Sequence, residues 1–184
     1  YYRGDHTDRD AEYITEHFCH ELRRDLIPGV ESAFSTWAAG DVSEENLVKT
    51  RNHRGFAGLS LGSMTTYRAA FYNNFDLFSW YGAFSGCCGP WGNHDREVER
   101  IKETLDGWEK DGLKLDYLLC CNGDKDIAYA EHKDIMDRAQ KICPQLVCGK
   151  TYDFHTVPGG VHDMKAWQLH LYLALQIFFA KRTD

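Results

Sequence analysis

The chain has 184 residues, 43% of them hydrophobic, with ten Phe, ten Tyr and five Trp, so it can bury the core of one globular domain. Its formal net charge is −7 and its Lys and Arg residues are scattered, which argues against a nucleic-acid or anionic-membrane partner. The longest apolar stretch, residues 171–180, contains Gln176 and is too short to span a bilayer.

A helix is predicted from Thr7 or Asp10 to about residue 26, because apolar residues recur at every fourth position and form one stripe. The stripe consists of Ile14, Phe18, Leu22 and Leu26. The Pro-Gly pair at residues 28–29 is expected to break this helix. The polar segment 41–54 is predicted to be a loop.

Strands alternate with helices in the rest of the chain. The predicted strands cover residues 55–59, 78–84, 116–121 and 152–157. Apolar faces predict a helix through Met64, Tyr67 and Phe71, a second through Val98, Ile101, Leu105 and Trp108, and further helices over 127–142 and 163–179. This order predicts a single α/β domain over residues 1–184, with helices on both faces of a mostly parallel sheet.

Cysteines and paired histidines are tested first as metal ligands. The cysteines number seven and lie at positions 19, 87, 88, 120, 121, 143 and 148. Their odd count leaves a thiol unpaired within the chain, and their spacing is not that of a zinc site. A Cys143–Cys148 disulfide, as in a secreted protein, stays open. His17 and His20 lie in neither H-E-x-x-H nor H-x-x-E-H, so no metal site and no cofactor is predicted.

The segment 58–62, Gly-Leu-Ser-Leu-Gly, matches G-x-S-x-G between a predicted strand and a predicted helix. In this pattern the serine occupies a strained, tight turn, and the flanking glycines make room for it. The helix that follows points its positive N-terminal end at the site, where negative charge develops during attack on a carbonyl. Ser60 is therefore the predicted nucleophile.

A serine hydroxyl becomes a good nucleophile when a histidine takes its proton and a carboxylate orients that histidine. The loop after the third strand contains Asp124 and Asp126, and the loop after the fourth contains His162 behind two glycines. Both loops follow the carboxyl ends of strands, where catalytic groups gather. The residues alone leave the choice between the two aspartates open. His155 lies within a predicted strand and is expected to be structural.

Three segments resemble the esterase-D-like family, and within it the carbohydrate esterases that include feruloyl and acetylxylan esterases. They are Gly-Leu-Ser-Leu-Gly-Ser-Met at 58–64, Asn-Gly-Asp-Lys-Asp-Ile-Ala-Tyr at 122–129 and Gly-Gly-Val-His-Asp-Met-Lys-Ala-Trp at 159–167. Residues 12–31 also resemble the family's helix before the nucleophile strand. The similarity thus extends over nearly the whole chain.

The resemblance implies an α/β-hydrolase fold and a serine esterase without cofactor. It makes Ser60 the nucleophile, His162 the base and Asp126, rather than Asp124, the acid. The substrate that it implies is a feruloyl or acetyl ester on plant cell-wall xylan, which places the enzyme outside the cell. No nucleic-acid or membrane partner is implied.

The chain departs from this family in two ways. Family members have more sheet before the first helix, and a loop there donates one of the two oxyanion-hole N–H groups. The backbone N–H of Leu61 is the one donor predicted here. We therefore expect N-terminal strands to be missing, so that this chain is a fragment of a longer protein or is completed by a partner segment. Ser63 stands where glycine is more usual after the nucleophile turn.

Aromatic and apolar residues near the predicted site are candidates for substrate binding. Trp91, Met164 and Trp167 are expected to flank the triad, where a feruloyl ring or a sugar face could stack. Core packing is the alternative role for Trp167. Two other functions stay open: a small-thioester or siderophore-ester hydrolase of the same fold, and a non-catalytic module that binds carbohydrate.

Overall fold

Among the residues that the structure describes, four strands form one parallel sheet and follow one another across it in chain order. The computed structural model describes residues 8–87 and 92–180. The strands are β1 (Gly55–Leu59), β2 (Trp80–Phe84), β3 (Tyr117–Gly123) and β4 (Tyr152–Val157). β1 and β4 have the predicted bounds, whereas β2 begins at residue 80 rather than 78 and β3 covers residues 117–123 rather than 116–121.

Helices precede the sheet and connect its strands. They are α1 (Asp8–Glu21), α2 (Ile27–Ala33), α3 (Glu44–Lys49), α4 (Leu61–Thr65), α5 (His94–Lys110), α6 (Tyr129–Ile142) and α7 (Met164–Ile177). A π-helical segment, Leu22–Leu26, joins α1 to α2, and a second, Thr66–Tyr72, extends α4. A 3-10 turn, Arg51–His53, precedes β1. No helix within the described ranges is both long and apolar enough to cross a membrane.

The helical segment before the sheet corrects two predictions. The helix does not break at Pro28, because the π-helical segment Leu22–Leu26 leads directly into α2 and Pro28 lies in the first turn of α2, where proline is tolerated. The segment 41–54 is not a loop throughout, since it contains α3. The Ser43 hydroxyl caps α3 by accepting a hydrogen bond from the N–H of Asn46 at 3.4 Å. The polar composition concealed this helix, which buries one apolar side chain, Leu47.

The predicted apolar stripe of the first helix is only half correct. Leu22 is buried and Phe18 packs against the core, but Ile14 and Leu26 are 42% and 45% exposed. A four-residue step turns an α-helix by about 400°, so a strict four-residue repeat drifts around the helix by about 40° per step. Ile14, in α1, has therefore turned away from the core, whereas Leu26 lies in the π-helical segment, where α-helical spacing does not apply.

Side chains alternate along the strands between two cores, as expected for a sheet covered on both faces. The larger core lies under α1, α5 and α6 and takes Tyr81, Ala83, Leu118, Cys120 and Tyr152 from the strands. The smaller core lies under α7 and takes Trp80, Phe84, Tyr117, Leu119 and Cys121. The prediction of helices on both faces of a parallel sheet is confirmed.

The described cysteines are free thiols, and four of the six are fully buried as small apolar side chains. They are Cys19, Cys87, Cys120, Cys121, Cys143 and Cys148. The Cys143–Cys148 disulfide that the sequence left open is therefore absent from this structure.

β1 lies at one edge of the sheet, and its C-terminal residue leads directly into the candidate nucleophile. β2 pairs with one side of β1, and no strand in the described part of the chain pairs with the other. Arg54 holds the beginning of β1 in place, because its Nε donates to Oε1 of Glu31 at 2.6 Å and its Nη1 donates to the carbonyl of Leu77 at 2.8 Å. Both charged side chains are buried. The edge strand is thus anchored to α2 and to the turn before β2.

The loops after β3 and β4 touch through two glycines. A Cβ at Gly123 would lie 2.1 Å from the carbonyl oxygen of Gly160, and a Cβ at Gly160 would lie 2.9 Å from the Cα of Gly123. The N–H of Lys125 donates to the Gly160 carbonyl at 2.9 Å, and the N–H of Gly159 donates to Oδ1 of Asp124 at 2.8 Å. The two loops are therefore cross-linked by backbone contacts that leave no room for a side chain.

Gly123→Ala is expected to lower the free energy of unfolding by at least about 1–3 kcal/mol, the usual cost of overpacking, because the backbone of Gly160 must move. The matched control is Gly107→Ala in α5, where a Cβ would meet no described atom within 4 Å. In a helix this change should stabilise by about 0.5–1 kcal/mol. Urea unfolding measures both. Equal unfolding midpoints for the two variants would contradict the steric interpretation.

His170 on α7 is buried against the sheet without a hydrogen-bond partner. It is 1% exposed, neither ring nitrogen has a partner among the described residues, and its ring lies 5.7 Å from that of Phe84. Burial lowers the pKa of His170 to about 4, despite the opposing charge of Asp126, and His155 lowers it further. The folded protein therefore keeps this imidazole neutral.

This burial predicts sensitivity to acid. The unfolded chain binds a proton at His170 below about pH 6.5, whereas the folded chain does so only below about pH 4, so stability falls as the pH falls between these values. His170→Leu should therefore reduce the loss of unfolding free energy between pH 7 and pH 5 by about 2 kcal/mol. The control is His20→Leu, at an exposed position. Identical losses in wild type and His170→Leu would refute the prediction.

Candidate active site

Ser60 occupies a strained turn between β1 and α4. Its φ of 55° and ψ of −118° lie in a region that non-glycine residues rarely adopt, at a cost of about 1–3 kcal/mol. A Cβ at Gly58 would lie 2.2 Å from the carbonyl oxygen of Gly62, so glycine is required there. A Cβ at Gly62 would meet no described atom within 4 Å. The turn thus has the predicted geometry, but only the first glycine is a steric necessity.

Ser60, His162 and Asp126 form one chain of hydrogen bonds. Nε2 of His162 lies 2.9 Å from Oγ of Ser60, and Nδ1 of the same ring lies 2.8 Å from Oδ1 of Asp126. An ionised carboxylate only accepts hydrogen bonds, so Nδ1 carries the ring proton and Nε2 is left to accept the serine hydroxyl. The three residues predicted as nucleophile, base and acid are therefore brought together in the predicted order.

The carboxylate of Asp126 is held ionised. The residue is only 6% exposed, and burial alone would raise the pKa of Asp126. The nearby Ser85 hydroxyl, the N–H of Ala128 at 2.8 Å and His162 together outweigh burial, so the pKa of Asp126 lies below its ordinary value. The carboxylate next to Nδ1 of His162 is therefore negatively charged at neutral pH.

Asp124, the other aspartate of this loop, does not face His162. Its Oδ1 accepts the N–H of Gly159 and ties the loop after β3 to the loop after β4. His155 is an exposed residue within β4. The structure therefore gives Asp124 a role in holding the two loops together.

The backbone N–H of Leu61 stands at the beginning of α4, directly after Ser60. The first N–H groups of a helix have no partner within the helix and can bind an anion. Ser63, two residues further, is fully buried, and its hydroxyl donates to the carbonyl of Gly86 at 2.5 Å. The serine at this position thus ties the nucleophile turn to the loop after β2.

A cleft of about 450 Å³ opens beside Ser60 and His162. It is lined by Ser60, Leu61, Met64, Ser85, Gly86, His94, Ile127, Ala128, Glu131 and His162. Most of its surface is apolar, and its volume lies in the range of small-molecule sites. The cleft can therefore hold the acyl group of an ester next to the serine.

The structure does not place the predicted substrate-binding residues that it describes in the lining of the cleft. Trp91 lies outside the described residues. Met164 is 59% exposed at the beginning of α7, and neither it nor Trp167 belongs to the lining of the cleft. Trp167 instead packs edge-on against His162, with 5.0 Å between ring centroids, and its Nε1 donates to Oγ of Ser85 at 2.9 Å. Trp167 therefore contacts His162 and Ser85 and does not line the cleft beside Ser60.

Sequence reasoning missed several residues of the cleft. Ile127 follows Asp126 directly and is 86% exposed, so an apolar residue next to the candidate acid was the available signal. His94 and Glu131 reach the cleft from the first turns of α5 and α6, and no local motif marks them. Their contribution depends on how the helices pack.

Comparisons with known proteins agree with this fold. No protein-family model matches the chain. The chain is 28% identical over 171 residues to endo-1,4-beta-xylanase Y of Acetivibrio thermocellus, and the match covers 89% of this chain and 15% of that protein.

Solved structures of feruloyl esterases are also similar. A serine-to-alanine variant of the feruloyl esterase module from Clostridium thermocellum, complexed with sinapinate, matches with a TM-score of 0.79 and 23% identity over 92% of this chain and 62% of that one. The CE1 ferulic acid esterase of the anaerobic fungus Anaeromyces mucronatus matches with a TM-score of 0.66 and 19% identity over 97% and 59%. The chain therefore spans about three fifths of these solved chains and has the predicted α/β-hydrolase fold.

Proposed function

We propose that this chain is the greater part of a serine esterase domain that releases feruloyl groups, or acetyl groups, from plant cell-wall xylan. The observation that carries the proposal is the hydrogen-bonded series Ser60, His162 and Asp126 beside an apolar cleft. The similarity to a xylanase and to feruloyl esterases supports the substrate class. Xylan is a polymer of the cell wall, so the enzyme must meet it outside the cell, and we propose that it is secreted.

The hydrogen bonds define the proposed reaction. Nε2 of His162 takes the hydroxyl proton while Oγ of Ser60 bonds to the ester carbonyl carbon, and the N–H of Leu61 stabilises the resulting oxyanion. The carbon–oxygen bond to the alcohol then breaks as His162 returns the proton to the leaving oxygen. Water, deprotonated by His162, attacks the acyl-enzyme, releases the acid and restores Ser60. Asp126 orients the ring and stabilises its positive charge.

A second segment is proposed to complete the site. The free edge of β1 and the exposed apolar side chains Leu171, Tyr172 and Leu175 on α7 are surfaces that a folded protein normally covers. We propose that further strands of the same protein pair with β1 and bring the second oxyanion donor. Since one donor contributes about 10²- to 10³-fold in rate, the chain alone should be slow. Equal rates for this chain and the full-length gene product would refute this proposal.

Ser60→Ala removes the nucleophile and is expected to reduce the hydrolysis of methyl ferulate by at least about 10³-fold. The control is Ser32→Ala at an exposed position, which should leave the rate unchanged. Circular dichroism checks that both variants are folded. Undiminished turnover by a folded Ser60→Ala protein would overturn the proposed function. Binding of xylan without any turnover by the wild-type full-length protein would instead favour a carbohydrate-binding module.

Ile127 is expected to make the enzyme distinguish esters with an aromatic acyl group from acetyl esters. Ile127 lines the cleft together with Leu61 and Met64, and an aryl ring bound there would bury its side chain further than a methyl group would. Ile127→Ala should lower kcat/KM for methyl ferulate by about tenfold, equivalent to 1.4 kcal/mol, and change that for p-nitrophenyl acetate by less than about twofold. The control is Ile142→Ala, at the far end of α6. Equal losses on both esters would contradict an aryl site next to Ile127.

A further inference from the structure

Ser85 directly follows β2 and has a positive φ, as does Ser60, which directly follows β1. Its φ is 61°, its N–H donates to the carbonyl of Cys121 at 2.8 Å, and the residue is 1% exposed. A positive φ at a non-glycine residue costs free energy and persists where the surroundings hold it. The surrounding structure therefore holds Ser85 in a backbone conformation that serine rarely adopts, and this conformation sets the direction of its side chain.

The hydroxyl of Ser85 stands between Trp167 and Asp126. Oγ of Ser85 accepts the indole N–H of Trp167 at 2.9 Å, so its own hydrogen must point elsewhere. The same hydroxyl helps to lower the pKa of Asp126, so it lies near that carboxylate. Oδ1 of that carboxylate already accepts from His162 and from the N–H of Ala128, at 2.8 Å each. The bonding of one carboxylate oxygen is thereby satisfied.

The other oxygen, Oδ2 of Asp126, is buried and has no hydrogen-bond partner of standard geometry among the described residues. A buried carboxylate oxygen without a partner costs several times the net free energy of an ordinary hydrogen bond. The Ser85 hydroxyl lies near this carboxylate and, because its oxygen accepts from Trp167, has its own hydrogen left to give. We propose that Trp167 and Ser85 act as positioning residues, in which the indole N–H holds the Ser85 hydroxyl and this hydroxyl donates to Oδ2 of Asp126.

Such a relay would fix the plane of the carboxylate and, through it, the ring of His162. Trp167 also packs edge-on against that ring, so one side chain restricts the orientation of both Asp126 and His162. The inference rests on the proposed function, since it assigns roles that act through the candidate triad. It predicts an effect on the chemical step, because neither Ser85 nor Trp167 needs to touch the ester.

The test uses Trp167→Phe, Ser85→Ala and the double variant in the full-length protein, with methyl ferulate as substrate. Trp167→Phe keeps an aromatic ring at this position, but it deletes the indole N–H and makes the ring smaller. Each single change should lower kcat by about tenfold and leave KM within about twofold, as expected for a group that only positions the reacting ones. Because both act through one hydrogen bond, the double variant should lose about as much as Ser85→Ala, not the product of the two losses.

Proton NMR supplies a readout that general loosening of the core would not give. The Nδ1 proton shared by His162 and Asp126 should resonate far downfield in the wild type and shift or broaden in both single variants. The control is Trp108→Phe, which loses the same indole group at a partly buried position in the larger core. It should leave kcat and the resonance unchanged.

The outcomes separate this inference from the proposed function. If kcat in the single variants equals that of the wild type, if the losses multiply, or if KM rises at constant kcat, the relay is refuted, and the last result would make these residues substrate contacts. Should Ser85→Ala fail to fold, Trp167→Phe alone decides the question by its kcat and its NMR spectrum. A folded Ser60→Ala protein that retains activity would refute the proposed function itself.

Discussion

The contact between the backbones of Gly123 and Gly160 determines where the acid and the base can meet. These glycines begin the loop of Asp126 and precede His162, and a Cβ on the first would lie 2.1 Å from the carbonyl oxygen of the second. Asp124 adds a hydrogen bond across the same two loops. Because the loops touch without intervening side chains, the carboxylate comes within 2.8 Å of the imidazole.

The other half of the site depends on strain at the ends of β1 and β2. Ser60 and Ser85 both have positive φ values, and each would cost about 1–3 kcal/mol in isolation. Each N–H donates to a carbonyl of the next strand, to Phe84 at 2.9 Å and to Cys121 at 2.8 Å. A net gain of about 0.5–1.5 kcal/mol per hydrogen bond does not offset this cost alone, so the packing of the parallel sheet must supply the rest.

The sequence was most informative where chemistry demands a fixed local pattern. The nucleophile turn, β1 and β4 could be predicted because a glycine-flanked serine between strand and helix has few alternatives. Proline disrupts the interior of a helix but is tolerated in a first turn, so the sequence around Pro28 did not indicate that the helical segment continues. The polar composition of α3 concealed that helix. Asp124 and Asp126 share one loop, so only tertiary contacts separate their roles. His94 and Glu131 reach the cleft through helix packing, which no local spacing encodes.

The central claim is that Ser60 is the group that becomes acylated, and chemical labelling tests it most directly. The protein is treated with diethyl p-nitrophenyl phosphate, which phosphorylates activated serines, and the modified residue is located by mass spectrometry of its peptides. The account predicts one diethylphosphoryl group on Ser60, with loss of esterase activity in proportion to labelling. Inactivation with the label on another residue, or full labelling of Ser60 with activity retained, would contradict it.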